Sequence, residues 1–380
     1  MEYGHRQALT DRERTDWLRL IRSENVGPVT FWHLLRHFGS AADALDALPD
    51  LSRRGGRSKP VRIASVAAAE AEIAATRKAG ARLVAAQEPD YPWRLATTED
   101  APPLISLAGA AALGNAPVVS IVGARNASSN GKRIARTIAQ GLGEAGVAVA
   151  SGLARGIDAA AHAGSLETGT VAVVAGGIDV CYPPEHEELM QDIAGRGAIL
   201  AEQPVGTKPQ GRHFPRRNRI VSGIASGVLV VEAAARSGSL ITARCAGEQG
   251  RDVFAVPGSP LDPRCTGANG LLRDGAILTE SADDILQVLQ PGLREAPGRA
   301  MPTVSPPESL AEAPRMATDA VVVDARRSLA DCLSPAPTPV DDLVREFGDD
   351  PATVAAALLE LELAGRVERH PGNRVALVAA

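Results

Sequence analysis

The segment HFPRRNR at residues 213–219 sets an aromatic ring, a proline and three arginines side by side. Between Pro204 and Ile224 there are five cations, Lys208, Arg212, Arg216, Arg217 and Arg219, and no carboxylate. Guanidinium groups pair bidentately with phosphate, and a ring such as Phe214 offers a stacking face to an unpaired base. The combination suits single-stranded nucleic acid. Taken singly, each residue has a plainer alternative: Phe214 as a core residue, Asn218 and Arg219 as loop ties, an arginine as a buried ion-pair partner.

Three glycine turns extend the pattern. In GARNASSNGKR, Gly123, Ala124 and Arg125 leave an apolar run and open a helix carrying Lys132, Arg133 and Arg136. The free amides and partial positive charge of a helix N-terminus favour an anion, and small side chains let it approach the backbone. SGLARGIDAAAH repeats the device with Arg155, and EAAARSGSLITA repeats it with Arg236, Gly238 and Ser239. Each turn alone is a weak signal, but three with an arginine in every loop point to an anion-binding rim. Neither a Walker P-loop nor a G-x-G-x-x-G fingerprint is present, so no nucleotide cofactor is expected.

Acid–base chemistry has its own candidates. Asp158 and His162 stand four residues apart in a helical segment, and Glu202 and Glu232 end apolar runs at the same predicted edge. These groups support a competing enzyme reading, a nucleotide or nucleoside-phosphate hydrolase with Glu202 or Glu232 as base. Asp158 at a helix start serves equally well as a cap. HEELM at 186–190 has Met190 where a zinc protease needs histidine, and the four cysteines, Cys181, Cys245, Cys265 and Cys332, show no metal-ligand or disulfide spacing. No metal is expected.

The elements that must position these residues follow from the apolar runs VVSIVG, VAVAS, VAVVAGG, AILAE, VLVVEA, VFAVPG and AILT, four of them ending at or directly followed by glycine, and from the helical segments that come after them. This alternation predicts βαβ units: an α/β fold with an extended Rossmann-like, doubly wound, mostly parallel sheet over residues 80–290. Ligands of such sheets bind beyond the carboxyl ends of the strands, where the glycine turns fall. Residues 1–79 read as a small helical domain of SAM or helix-hairpin-helix type, with a Gly27-Pro28 turn. Residues 291–320 read as a Pro/Ala-rich linker, and 321–380 as three helices and a hairpin, a winged-helix order with Asp350 as an N-cap. The third helix of that tail carries no cation, so a protein-contact or regulatory role suits the module better than reading DNA.

With 380 residues, 45% of them apolar, and a net charge of -5, the chain is long enough for several globular domains and is not a polybasic coat protein. No run of 18 apolar residues and no signal-like start is found, which with unpaired cysteines predicts a cytoplasmic protein without a membrane span.

The motifs IVGAR, SGLARGIDAAAH, VAVVAGGIDVCYP, FPRRNRIVSG, VVEAAARSGSLITA and FAVPG, in this order over about 115–280, resemble the DNA-processing protein A (DprA, also called Smf) family. The resemblance implies a non-enzymatic protein that binds and protects incoming single-stranded DNA and loads a RecA-type recombinase during natural transformation. It also implies a homodimer formed through the Rossmann-like core. Carried over by motif, the DNA site comprises Gly123, Ala124, Arg125, Arg155, Phe214 to Arg219, Gly238 and Ser239, with Lys208 and Arg212 added by their charge. Ala124 stands where many members carry serine, and Gln203 where an aromatic residue is frequent.

Overall fold

The run from Val118 to Val122 is apolar on both sides, which suits a strand with helices on each face. In the computed structural model, which describes residues 8–110, 116–293, 329, 332–347, 351–370 and 372–378, it lies in the middle of a nine-stranded sheet. The strands are β1 (Arg82–Ala85), β2 (Leu104–Gly109), β3 (Val118–Val122), β4 (Ala148–Ser151), β5 (Thr170–Gly177), β6 (Ala198–Gln203), β7 (Gly227–Val230), β8 (Asp252–Ala255) and β9 (Ile277–Leu278). Their spatial order is β1-β2-β6-β5-β4-β3-β7-β8-β9. All neighbours from β6 to β9 are parallel, and β2 alone runs against them, pairing antiparallel with both β6 and the edge strand β1. The seven predicted runs are the seven parallel strands; the antiparallel pair carries no strand–glycine–helix signature.

Helices α6 (Ser129–Glu144), α7 (Ile157–Ser165), α8 (Glu187–Arg196), α9 (His213–Gly223), α10 (Ser239–Glu248), α11 (Thr266–Arg273) and α12 (Ala282–Leu293) cover the sheet, and a single turn, α5 (Trp93–Ala96), precedes β2. On one face Ile121, Val149, Leu229 and Phe254 pack with Ile138 and Leu142 of α6, Ile157 of α7 and Ile285 of α12. Farther along the same face, Val174 and Ile199 pack with Leu153, Met190 and Ile193, while on the opposite face Ser120 of β3 meets α9, its hydroxyl donating to the Val221 carbonyl at 2.6 Å. The strand order reverses at β3: successive crossovers run to β4, β5 and β6 on one side, then to β7 and β8 on the other. A crevice therefore opens between the loops that leave β3 and β7.

Chain contacts group residues 72–293 into one unit and join the described residues of 9–71 and of the tail into another. The second unit begins with α1 (Asp11–Arg22), α2 (Pro28–Phe38) and α3 (Ala41–Arg54), while α4 (Val66–Lys78) spans the boundary. Thr10 and Glu13 form a capping box on α1, Pro28 is the first residue of α2, and Ser40 caps α3. The tail supplies α13 (Val340–Phe347), α14 (Pro351–Leu363) and a three-stranded sheet of β10 (Thr338–Pro339), β12 (Arg374–Leu377) and β11 (Val367–His370). Most of its predicted first helix, the Asp350 cap and the linker from 294 onward lie outside the described residues.

The third tail helix, α14, packs Val354, Ala357, Leu358 and Leu361 into the tail's own core and meets the N-terminal helices over its buried last turns. Thr30 donates to the Glu362 carboxylate at 2.8 Å, Arg369 pairs with the same carboxylate, and Asn25 donates to the Leu363 carbonyl at 3.1 Å. The backbones come so close that a Cβ placed on Gly55 would lie 2.0 Å from the Glu360 carbonyl oxygen.

Candidate nucleic-acid interface

The loop after β3 is built around a buried acid. Glu232, at the end of β7, accepts from the Ser128 amide at 2.9 Å and from its hydroxyl, while Ser128 caps α6 by accepting from the Gly131 amide at 2.9 Å. This clamp fixes the path of Gly123, Ala124 and Arg125 across the crevice. The second turn locks against the first: Gly156 has φ +80°, and a Cβ there would lie 2.2 Å from the Ala124 carbonyl oxygen. Only glycine suits a left-handed conformation at so close an approach.

Arg125 then reaches the basic stretch. Its guanidinium carbon stands 5.0 Å from the centroid of the Phe214 ring, within cation–π range. On Phe214 leans Tyr182, with ring centroids 5.6 Å apart and planes inclined at 56°, and Tyr182 is 47% exposed. Sequence reasoning did not single out Tyr182; an aromatic followed by two prolines in a glycine-entered loop is the signal that could have found it. Arg155 is exposed and paired with Glu185. Beside these groups lies a cavity of about 650 Å³ lined by Arg125, Lys132, Arg133, Arg136, Arg155 and His186, with the small residues Gly156, Ala159 and Ala160.

The basic stretch divides into outward and inward residues. Lys208, Arg212 and Arg216 are exposed. Arg212 and Arg216, added to the effect of burial, hold the pKa of His213 below its ordinary value. Arg217 points inward: it is 7% exposed, donates to the Val173 carbonyl at 2.9 Å, and lies flat on Gly152, where a Cβ would fall 1.5 Å from its Nη1. Arg219 is directed at Glu202 and the Asp100 carbonyl, and the Asn218 amide donates to the Gly238 carbonyl at 3.2 Å, tying α9 to the turn before α10. Ser239 is buried with its hydroxyl 2.7 Å from that of Ser237. The expectation that all of 214–219 faces DNA is thus corrected for Arg217 and Arg219, whose donors serve the protein interior.

The acid–base candidates are occupied by structure. Glu232 holds the α6 cap and Glu202 holds Arg219. Asp158 does not cap its own helix; it accepts from the Gly152 and Ala154 amides at 3.1 and 3.2 Å, and burial raises its pKa against the pull of Arg217. His162 is fully buried with Nδ1 2.7 Å from the Thr170 hydroxyl, and burial, assisted by Arg217, pulls its pKa down to about 3. All four groups are committed to internal partners, Glu232 and Asp158 to the β3 and β4 loops, Glu202 to α9 and His162 to β5, which leaves the hydrolase reading without a free base among them.

A doubly wound sheet whose reversal point is rimmed by cations and paired rings defines a Rossmann-like protein equipped for anions. The chain belongs to the DNA recombination-mediator protein A family, which residues 82–290 match; 11–75 match the DprA-like N-terminal HHH domain and 308–373 the DprA winged helix domain. Protein Smf of Escherichia coli is 39% identical over 298 residues, covering 78% of this chain and 77% of that protein. DNA processing protein DprA of Streptococcus pneumoniae is 44% identical over 198 residues, 52% of this chain and 70% of the relative. The X-ray structure of DprA from Streptococcus pneumoniae superposes with a TM-score of 0.62 at 34% identity, covering 74% of this chain and 98% of that one. DNA processing protein A from Helicobacter pylori, described with a single-stranded DNA binding mode, gives 0.50 at 27% identity over 53% and 93%.

Proposed function

We propose that this chain is a non-enzymatic, single-stranded-DNA-binding mediator of recombination. It protects incoming strands and delivers them to a RecA-type recombinase in the cytoplasm, as a homodimer through the Rossmann-like core. The observation that carries the reading is the cation–ring contact of Arg125 and Phe214, backed by Tyr182, at the reversal point of the sheet. There one guanidinium meets a phosphate while two rings meet bases. Arg155, Lys208, Arg212 and Arg216 add sequence-indifferent charge, and the amides of Gly123, Ala124 and Gly238 add anion-directed dipoles, while buried Ser239, whose amide donates to the Ser237 hydroxyl at 3.4 Å, shapes the third turn. Arg217, Asn218 and Arg219 position this surface from beneath. Family membership and the binding described for the Helicobacter pylori protein support the same assignment.

The test is fluorescence anisotropy of a labelled oligothymidylate with the folded full chain. Arg125→Ala and Phe214→Ala each weaken binding, the latter by about 5- to 150-fold, since stacking is worth about 1–3 kcal/mol per base. Unchanged affinity in the double variant refutes the assignment, and turnover of a small nucleotide by the purified chain refutes its non-enzymatic part. Co-sedimentation of a recombinase with the DNA-loaded chain checks the partner.

A further inference from the structure

Helix α6 breaks a local rule that another helix of the same chain obeys. In α1 the acids Asp11 and Glu13 occupy the first turn and the bases Arg19 and Arg22 the last, as the helix dipole favours. In α6 there is no acid before Glu144, no base in the last turn, and three cations, Lys132, Arg133 and Arg136, in the first two turns. All three are exposed, and none has an ion-pair partner among the described residues. The acid nearest the α6 start, Glu232, is buried beneath the cap and committed to Ser128. Uncompensated cations near a positive helix end call for an external anion.

The shape of the surface agrees. Ser129, Lys132, Arg133 and Arg136 are spaced i, i+3, i+4 and i+7, so they form one face about 10 Å long at 1.5 Å per residue. They line the 650 Å³ cavity together with Arg125 and Arg155, and Gly156, Ala159 and Ala160 of the α7 side provide low walls that a sugar–phosphate chain can pass. Arg125 lies at the joint of the two regions: its guanidinium rests over Phe214, and it also lines this cavity.

We propose that the α6–α7 groove is a second subsite, which holds the phosphates flanking the nucleotide at Phe214 and gives the bound strand its direction of exit. The inference rests on the proposed single-strand binding. It assigns Lys132, Arg133 and Arg136 to phosphates alone, with no base contact, so the subsite takes any sequence of adequate length.

The experiment uses the full chain and oligothymidylates of about 5 and about 20 nucleotides, lengths at and beyond the smallest single-strand site sizes, titrated at several salt concentrations. Three neutralised phosphate contacts contribute about 0.7 each to the slope of log K against log salt for single strands. The triple variant Lys132→Gln, Arg133→Gln, Arg136→Gln is therefore expected to lower the long oligomer's slope by about 2 and to leave the short oligomer's affinity within about twofold. Arg125→Ala weakens both lengths. A triple variant that melts like the wild type and keeps the full slope on the long oligomer overturns the groove, while the cradle stands if Arg125→Ala still weakens binding. Equal losses on both lengths also overturn it, because the three cations would then belong to the cradle. If neither variant changes binding, the underlying single-strand reading falls as well.

Discussion

Adjacent arginines on α9 have opposite tasks, and exchanging each for alanine separates them. Arg217 is enclosed: its Nη1 serves the Val173 carbonyl, its charge offsets buried Asp158, and its plane lies on Gly152. Truncation leaves the Val173 carbonyl without its charged donor, a loss of about 1.5–3 kcal/mol, and removes a positive charge near the Asp158 carboxylate. Because Asp158 also loses a favourable charge nearby, the upper end, about 3 kcal/mol, is expected. For a domain of roughly 200 residues this lowers Tm by roughly 6–12 °C. Arg216 is exposed, so Arg216→Ala stays within about 0.5 kcal/mol of the parent. It reduces the salt slope of single-strand binding by about 0.7. Thermal unfolding and anisotropy on both variants read the two effects. The reasoning is refuted if Arg217→Ala melts with the wild type while binding collapses, since the buried guanidinium would then be facing the ligand.

Acid should destabilise the core through His162. Its folded pKa lies near 3, against an ordinary 6.5, so the unfolded chain gains a proton first. The stabilising contribution of the neutral ring is fully present above pH 6.5 and is lost as pH falls, at about 1.4 kcal/mol per pH unit. Urea unfolding between pH 7 and 5 shows this slope, and His162→Gln removes one histidine's share of it. In the second unit, Gly55→Val has no room beside the Glu360 carbonyl and should free α14 from the N-terminal helices, read as faster amide exchange over 351–363. Unchanged exchange there would show that the close backbone approach does not hold the two segments together.

The glycine-ended β-branched runs made the parallel sheet and its ligand edge legible, because a buried parallel strand has no polar face to mask it. Strands β1 and β2 were not, since they pair antiparallel on an edge and are not joined to a crossover helix. Within the basic stretch, charge was legible and direction was not. Yet His213, Arg217, Ile220, Val221 and Ile224 recur at i, i+4, i+7, i+8 and i+11 and are all buried, so helical period alone places Arg217 on the core stripe. The partners that neutralise Arg219 and occupy Glu232 come from distant segments, Glu202 and Ser128, and only the assembled sheet brings them near.

The interlock of α14 with the N-terminal helices has a consequence for biosynthesis. Gly55 leaves the ribosome about 300 residues ahead of Glu360, an interval of roughly 15–60 s at bacterial elongation rates of about 5–20 residues per second. Throughout it, the surface of the first three helices that awaits α14 has no cover, while the intervening sheet is free to mature. Helices translated well ahead of α14 are thus completed only after it emerges, and their uncovered surface is open to chaperone capture during that interval.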